Sequence, residues 1–194
     1  MELLIFALSL IGYYVLHSIL ANTKVKAVLI SKFIPQKYYR LLFNFTAVIL
    51  GIPIYYFYQQ IPTSYIFGNF ILKNIGLGIA ILGILLLIYA FSQYDLSEFV
   101  GTRQLKYSAP PKPASLKTTG FNAFVRHPLY FCGLLIIWGG FLFRPTYLYL
   151  VMALVSTAYL YFGTKLEEEK LVEEFGVEYI NYQKKVGMLL PFMK

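Results

Sequence analysis

The chain has 194 residues, of which 58% are hydrophobic and 13% are charged, whereas charged residues make up roughly a quarter of an ordinary soluble domain. This composition excludes a soluble globular domain, and a single cysteine with only two histidines excludes a disulfide scaffold and a structural zinc site. The formal net charge of +8 does not indicate nucleic acid binding, because the basic residues lie in loops beside apolar segments, as membrane topology requires.

Five apolar segments follow one another along the chain, each almost free of charge and the longest close to the ~20 residues that a bilayer-crossing helix needs. They cover residues 3–20, 41–58, 75–94, 129–143 and 147–163. The last two are short and are separated only by Arg144, Pro145 and Thr146. Since proline cannot continue a helix, we predict a tight helical hairpin that need not cross the bilayer fully. The sequence therefore predicts an all-α polytopic membrane protein with about five transmembrane helices.

We interpret residues 1–194 as a single membrane domain with two parts. Residues 1–94 form the first three spans, and residues 95–194 contain a polar loop, the hairpin and the C-terminal tail. Apolar residues recur at helical spacing in the tail with glutamates between them, which predicts a cytoplasmic amphipathic helix that is interrupted near Gly176. The first segment starts with Glu2 and without basic residues, so we expect it to remain in the mature protein.

The basic residues are sorted unevenly between the two sides that five spans create. Residues 23–40, 95–128 and 164–194 lie on one side and hold 15 of the 17 lysines and arginines, whereas Lys73 and Arg144 lie on the other. Basic residues are enriched on the cytoplasmic side of membrane proteins. We therefore predict an integral membrane protein with its N-terminus outside and its C-terminus in the cytoplasm.

The strongest local signal lies where the loop enters the fourth segment, with Arg126, His127, Pro128 and Tyr130 in close succession. Membrane anchoring accounts for the arginine, and the first turn of a helix tolerates proline because its missing N–H needs no partner there. Anchoring does not account for the histidine and the tyrosine. The alternative is a binding site for an anionic or zwitterionic group, since basic side chains and the N–H groups of a helix start act together.

The second signal is a glutamate-rich stretch that leaves the fifth segment, residues 165–182. Such a stretch is most often the solvated face of a helix. The predicted hairpin, however, returns the end of the fifth segment to the start of the fourth, so we expect Glu167 to lie near Arg126 and His127. An acid beside two basic groups at a membrane surface is typical of a polar site, and an inert salt bridge is the alternative.

These two signals, in this order and around a hairpin, resemble the isoprenylcysteine carboxyl methyltransferase family of integral-membrane enzymes. The first signal matches the pattern L-x-x-x-G-x-x-x-x-x-R-H-P-x-Y, and the second matches E-E-x-x-L-x-x-x-F-G-x-x-Y-x-x-Y, followed by Pro191 near the C-terminus. The resemblance covers residues 116–194, whereas the first three spans match only as membrane helices.

The resemblance implies that the chain binds S-adenosylmethionine as a methyl donor and that the loop before the fourth segment contributes to its site. The positions that match the donor-binding residues of the family are Leu116, Lys117, His127, Pro128, Leu129, Tyr130 and Glu167. It also implies three catalytic residues: Arg126 and His127 orient donor and acceptor, and Glu167 holds the cationic part of the donor. A sulfonium methyl group is already electrophilic, so alignment in a water-poor pocket is the main requirement and no metal is called for.

Departures from the family pattern bear on the acceptor. Asn122 stands where the prenylcysteine enzymes usually have a tyrosine, and Gly163 stands where they have an arginine associated with a carboxylate substrate. A further segment resembles the D-L-F-G-L-R-Q segment of bacterial membrane enzymes that methylate methanethiol; it reads Asp95-Leu96 and, after four extra residues, Gly101-Thr102-Arg103-Gln104. This resemblance implies a thiol acceptor, with Arg103 and Gln104 as its binding residues.

We therefore predict an enzyme that transfers a methyl group from S-adenosylmethionine to a small lipophilic acceptor, with a thiol sulfur favoured. Carboxyl methylation of a prenylcysteine-like molecule and N-methylation of a phospholipid headgroup are the enzymatic alternatives. The non-enzymatic alternative is a membrane assembly or transport partner, although no predicted span carries a charge at its centre. The expected partners are the small substrate and membrane lipids, without nucleic acid or metal.

Overall fold

A computed structural model describes residues 1–62, 64–106 and 115–191. These residues form the all-α fold that the sequence predicts, with a short 3-10 helix at Gly120–Ala123. The α-helices are α1 (Glu2–Ala21), α2 (Thr23–Lys32), α3 (Gln36–Gln60), α4 (Phe70–Ser92), α5 (Leu96–Val100), α6 (Thr102–Lys106), α7 (Pro128–Phe143), α8 (Tyr147–Phe175) and α9 (Val177–Lys185).

The described residues include four helices that are long and apolar enough to cross a membrane, namely α1, α3, α4 and α8. The fourth and fifth predicted segments correspond to α7 and α8, which differ in length. Helix α7 has 16 residues, which at ~1.5 Å per residue is shorter than the ~30 Å hydrocarbon core. Helix α8 has 29 residues and continues past the predicted apolar stretch, because no glycine or proline interrupts its lysine, leucine and glutamate residues before Gly176.

The chain divides into two compact units, and the first contains α1, α2, α3, α5 and α6. Helices α1 and α3 pack against each other, and the hydroxyl group of Tyr39 donates to a main-chain carbonyl at the end of α1. Arg40 Nε donates to the carbonyl of Phe99, and Asn44 Nδ2 donates to the carbonyl of Val100, both at 2.9 Å. Helix α3 thus satisfies carbonyl groups at the end of the short helix α5, which have no intrahelical partner.

The second unit contains nearly all of α4, the 3-10 helix and α7 to α9. Two glycines let the backbones of α4 and α7 approach closely: a Cβ atom at Gly76 would lie 2.5 Å from a main-chain nitrogen of α7, and one at Gly139 would lie 2.5 Å from a main-chain nitrogen of α4. The indole N–H of Trp138 donates to the hydroxyl of Thr157 at 3.0 Å and joins α7 to α8. The α7–α8 hairpin returns the charged end of α8 to the start of α7, as predicted.

The C-terminal segment of the second unit runs back along the start of α7. Gly176 ends α8 with φ 57°, a backbone conformation that favours glycine. Beyond α9, the main chain at Gly187 forms an isolated parallel bridge with Val125. The N–H of Arg126 donates to the carbonyl of Gly187 at 2.9 Å, and the N–H of His127 donates to that of Met188 at 3.2 Å. The segment therefore lies beside the first sequence signal.

Candidate functional site

The start of α7 places the first sequence signal at a defined position in the second unit. Gly120 begins the preceding 3-10 helix with φ 64°, and the side chain of Asn122 donates to the carbonyl of Arg126 at 3.1 Å. His127 occupies the N-cap position and Pro128 the first turn, where its missing N–H costs nothing. His127 is buried, with 7% of its surface exposed.

The guanidinium group of Arg126 makes four hydrogen bonds. Its Nε and Nη2 atoms donate to the two carboxylate oxygens of Glu168 at 2.5 and 2.9 Å, which is a bidentate pair. Its Nη1 atom donates to the main-chain carbonyls of Gln183, at 3.0 Å, and of Val186. The side chain thus joins the start of α7 to the charged end of α8 and to the C-terminal segment.

Glu168 is the centre of this polar cluster. Besides the two bonds from Arg126, its carboxylate accepts hydrogen bonds from Tyr179 at 3.2 Å and from Gln183 Nε2 at 3.0 Å, and His127 Nε2 lies 3.2 Å from Oε1. Glu168 lies beyond the apolar part of α8; burial raises its pKa, but the hydrogen bonds from His127 and Arg126 outweigh burial and lower it to about 2. Glu168 is therefore ionised at neutral pH.

The same carboxylate acts on its tyrosine neighbour. Tyr179 is almost completely buried, and burial raises the pKa of its hydroxyl group, which the nearby Glu168 carboxylate raises further. The hydroxyl therefore keeps its proton and donates a hydrogen bond to Glu168. On the same helix, the hydroxyl of Tyr182 donates to the carbonyl of Asn122 at 2.5 Å. Helix α9 is therefore bonded both to α8 and to the 3-10 helix.

Glu167, the neighbour of Glu168, has a different environment. It accepts a hydrogen bond from the hydroxyl of Tyr130 at 2.9 Å, and its Oε2 atom lies 3.9 Å from His127 Nδ1. The rings of His127 and Tyr130 stack with centroids 5.6 Å apart. The side chain of Glu167 is 45% exposed, whereas that of Glu168 is 10% exposed. Glu167 thus offers an accessible carboxylate at the edge of a buried cluster.

From the sequence we expected Glu167 beside both Arg126 and His127, and the structure confirms only the contact with His127. Glu167 lies beside the histidine, but the acid that pairs with the arginine is Glu168. Successive residues of a helix differ by about 100° in direction, so only one of two adjacent glutamates faces the interior.

The other predicted donor-binding residues lie around the start of α7. Pro128 is buried, and Leu129 packs against a hydrophobic cluster that includes Phe121. Leu116 is partly buried and Lys117 is exposed, both before the 3-10 helix. Their predicted role in donor binding stays a prediction. Glu168 lies within the second sequence signal without an assigned role, and three further residues of the cluster lie outside both signals, namely Gln183, Val186 and Gly187.

The predicted substrate residues Arg103 and Gln104 belong to the first unit. Arg103 Nη1 donates to Asp95 Oδ2 at 2.8 Å and to Glu98 Oε2 at 3.2 Å, and Gln104 Nε2 donates to the carbonyl of Glu98 at 3.2 Å. Asp95 caps α5, and hydrogen bonds from the hydroxyl of Ser97, the N–H of Glu98 and Arg103 lower its pKa. These hydrogen bonds lie within residues 95–104, and Gln104 Oε1 is buried without a hydrogen-bond partner among the described residues.

The polar cluster around Glu168 has an accessible acid at its edge, Glu167, which could hold the cationic part of a ligand. Ionised Glu168 is neutralised by Arg126, whereas the accessible Glu167 has a tyrosine hydroxyl and a histidine ring beside it. Over residues 1–62, 64–106 and 115–191, no group of three or more histidine, cysteine, aspartate or glutamate side chains could hold a metal ion.

Comparison with known proteins adds a family and several relatives. A profile of the family described as phospholipid methyltransferase matches residues 71–178. The methanethiol S-methyltransferase of Pseudomonas deceptionensis is 45% identical over 102 residues, which is 50% of this chain and 37% of the relative. The methanethiol S-methyltransferase of Crocosphaera subtropica is 32% identical over 98% of this chain and 75% of its own length. No solved structure matches the chain.

A third relative supports the same pattern. The methanethiol S-methyltransferase 2 of Bradyrhizobium diazoefficiens is 28% identical over 180 residues, which is 90% of this chain and 68% of the relative. The family match runs from the start of α4 to the start of α9, and therefore contains Arg126, His127, Glu167 and Glu168. The similarity to the Crocosphaera and Bradyrhizobium proteins extends through most of the chain and so includes spans outside that region.

Proposed function

The chain belongs to the phospholipid methyltransferase family, and from this premise we propose that it transfers a methyl group from S-adenosylmethionine to the sulfur of a small lipophilic thiol. Family membership confirms the predicted resemblance, and it confirms a membrane methyltransferase at the level of the family. The matched stretch covers 37% of the first relative and 75% of the second. The donor, the acceptor and the reaction of this chain are therefore proposals.

The residues at the start of α7 fit the proposed donor. S-adenosylmethionine carries an ammonium group, a carboxylate and a sulfonium ion, so its site needs at least one accessible acid near hydrogen-bonding groups. Glu167 is such an acid, and Tyr130 and His127 lie within 2.9 and 3.9 Å of its Oε2 atom. When bound, the donor supplies an electrophilic methyl group. We propose that Glu167, His127 and Tyr130 hold its polar end, with Leu116, Lys117, Pro128 and Leu129 around them.

The choice of a thiol acceptor rests on one observation above all, the similarity over almost the whole chain to a protein named methanethiol S-methyltransferase. Two features of the site agree with it. Arg126 is committed to Glu168 and to main-chain carbonyls. Gly163, four residues before Glu167, supplies no cation, and a Cβ atom there would meet nothing within 4 Å. A carboxylate acceptor in an apolar pocket needs a fixed cationic partner, and neither position offers one.

A thiol makes smaller demands on the protein. It enters an apolar pocket in its neutral form and passes its proton to water, and the thiolate is the nucleophile. Its sulfur would form a bond to the methyl carbon as the bond between that carbon and the sulfonium sulfur breaks, which would leave the donor as a neutral thioether. The proton must therefore leave the sulfur before or during transfer, and alignment of sulfur with the methyl group supplies most of the remaining rate enhancement. We propose that Arg103 and Gln104 contribute to acceptor binding, as the second resemblance implies.

The cytoplasmic orientation is part of the same proposal. The basic residues are sorted 15 to 2 between the two sides of a five-span arrangement, which favours an external N-terminus and a cytoplasmic C-terminus. Reporter fusions within residues 23–40 and after residue 194 should both give a cytoplasmic signal. A periplasmic signal from either fusion would contradict the five-span topology.

Methyl transfer can be measured directly with the full chain in lipid nanodiscs and donor carrying a labelled methyl group. Small alkyl thiols should be labelled in preference to farnesylcysteine and to phosphatidylethanolamine. The rate should rise toward alkaline pH as the thiolate fraction of the acceptor increases. Preferential labelling of the prenylated carboxylate, or of the lipid amine that the family description suggests, would overturn the thiol assignment and retain the methyltransferase.

Calorimetric titration with S-adenosylmethionine separates the enzyme from the non-enzymatic alternative. Binding together with thiol methylation supports the proposal. The absence of both, in protein whose folding has been verified by thermal unfolding, would favour a membrane assembly or transport partner. The assay needs no knowledge of the natural acceptor, because a series of thiols with increasing chain length reports how large the apolar pocket is.

A further inference from the structure

We propose that Glu168 is a positioning residue of this site, which fixes the ring of His127 with its Nε2 hydrogen directed to Glu168 and its Nδ1 atom presented as a hydrogen-bond acceptor. The inference rests on the proposed function for its consequence in catalysis, and on geometry for its structural part. Glu168 itself does not need to touch donor or acceptor, since its oxygens already accept bonds from four side chains.

The hydrogen bond between His127 and Glu168 can have only one direction. Glu168 Oε1 lies 3.2 Å from His127 Nε2, and an ionised carboxylate can only accept hydrogen bonds. The hydrogen must therefore reside on Nε2, which leaves Nδ1 with its lone pair in the neutral ring. This arrangement is the one by which a buried acid selects the tautomer of a histidine in many sites.

Several charged and titratable groups face this ring. Glu168 and Tyr179 lie on the Nε2 side, and Glu167 lies on the Nδ1 side with Oε2 at 3.9 Å. Tyr130 stacks on the ring, and Arg126 precedes His127 in the chain with its charge paired to Glu168. The only groups among these with a hydrogen for Oε1 are Arg126, His127 and Tyr179.

The hydrogen bonds of the Arg126 guanidinium group all go to groups of the protein itself. Two of its four hydrogen bonds go to Glu168 and two go to main-chain carbonyls 57 and 60 residues further along the chain. Contact with a substrate would require breaking a buried, bidentate ion pair. Arg126 therefore acts through Glu168 and the C-terminal segment. Of the two neighbours Arg126 and His127, His127 is the one that faces Glu167.

A fixed tautomer determines which hydrogen-bonding group His127 presents to a ligand. With its Nε2 hydrogen committed to Glu168, His127 offers only an acceptor, the Nδ1 atom, at the edge where Glu167 is exposed. A ring free to choose its tautomer would offer a donor there for part of the time, and would repel the N–H or S–H group of a ligand. Holding one tautomer therefore favours binding of a hydrogen-bond donor at this edge without any movement of Glu168.

Nitrogen-15 magnetic resonance tests the tautomer directly, because the chain contains only two histidines. Full-length protein with labelled imidazole nitrogens gives signals from His17 and His127, and His17→Gln assigns them. We expect a protonated Nε2 and an unprotonated Nδ1 for His127 in the wild-type protein at neutral pH. A hydrogen on Nδ1, with or without one on Nε2, would overturn the inference, whatever the methyl-transfer assay shows.

Two variants test the part played by Glu168. Glu168→Gln can donate as well as accept, so His127 should lose its preference and both tautomers should appear; kcat/KM for the thiol should fall about tenfold or more, and Glu168→Asp should restore part of it. Glu169→Gln is the matched control, because Glu169 is exposed on the next position of the same helix. An unchanged tautomer in folded Glu168→Gln would overturn the inference.

Tyr179→Phe provides a test that keeps the carboxylate and the ring packing. Tyr179 and His127 both bind Glu168 Oε1, each at 3.2 Å, so removing the tyrosine hydroxyl leaves more of that oxygen to the histidine. The Nε2 hydrogen of His127 should then resonate further downfield, a response that a merely structural role does not predict. No shift, or an upfield shift, would contradict the inference even if Glu168→Gln fails to fold. Normal tautomer behaviour without methyl transfer to any thiol would refute the proposed function alone.

Discussion

Arg126 and Arg103 each interact with carboxylates, but their surroundings differ. Arg126 and Glu168 have side chains that are 8% and 10% exposed, and their pairing joins residues 42 positions apart. Arg103 is 30% exposed, and its partners Asp95 and Glu98 are 45% and 48% exposed and lie within eight residues of it. The first arrangement connects three distant segments of the chain, whereas the second stabilises one turn.

Residue type alone does not identify a functional ion pair, because the two arginine clusters differ mainly in burial. An exposed pair contributes little to folding, because water solvates each partner almost as well as they solvate each other. Burying an ion pair on folding costs desolvation free energy for both charges. Loss of one partner then leaves the other buried charge without compensation. The Arg126–Glu168 pair is therefore expected to respond strongly to mutation, and the Arg103 cluster weakly.

The largest effect should come from Arg126→Ala. This variant leaves the buried Glu168 carboxylate without its bidentate partner and frees the carbonyls of Gln183 and Val186, so the free energy of unfolding should fall by about 3–5 kcal/mol. Thermal unfolding of the full chain in detergent micelles measures the loss. A midpoint equal to that of the wild-type protein would remove the basis for treating the two clusters differently.

A smaller effect on stability, together with a loss of binding, is expected from His127→Ala and Glu167→Ala. Glu167 is 45% exposed, so Glu167→Ala should unfold near the wild-type temperature, whereas His127→Ala removes a buried ring and should also lower that temperature. The affinity of Glu167→Ala for S-adenosylmethionine should fall roughly tenfold, which is about 1.4 kcal/mol. Calorimetric titration measures the affinity. Unchanged binding by both variants would place the donor elsewhere.

The sequence predicted the fold class, the hairpin and the cluster of Arg126 with an acid from the next helix, because each depends on local patterns. Apolar segments, Pro145 after Arg144, and the helix-starting Pro128 are visible without any partner. The sequence could not assign the acid, because Glu167 and Glu168 are adjacent and only packing decides which one is buried.

The contacts of the C-terminal segment could not be predicted for a different reason. Arg126 and His127 donate main-chain hydrogen bonds to Gly187 and Met188, and main-chain groups carry no residue-specific signal. The length of α8 was also underestimated, since hydropathy ends the span at Gly163 whereas helix propensity continues to Phe175. Patterns that report burial and patterns that report helix formation disagree over this stretch.

Arg103→Gln should have little effect on stability. Its ion pairs with Asp95 and Glu98 are exposed, so the unfolding temperature should not change measurably, and any change should disappear at high salt. If Arg103 binds the acceptor as the second resemblance implies, the KM for the thiol should rise while binding of S-adenosylmethionine is unchanged. A fall in stability comparable with that of Arg126→Ala would show that exposure does not separate the two clusters.

The smallest effect is expected from Glu173→Ala. Glu173 is exposed on α8, five residues after Glu168, and at about 100° per residue it points roughly 140° away from that side chain. Loss of a solvated carboxylate on this face removes no partner from the buried cluster and creates no cavity. Donor affinity and unfolding temperature should therefore both match the wild-type protein. Equal losses of donor affinity in Glu173→Ala, Glu167→Ala and His127→Ala would mean that the glutamates act through total charge near the membrane surface. A loss restricted to the latter two ties binding to the edge where Glu167 and His127 meet, because the three variants share one short region and differ in the direction their side chains face.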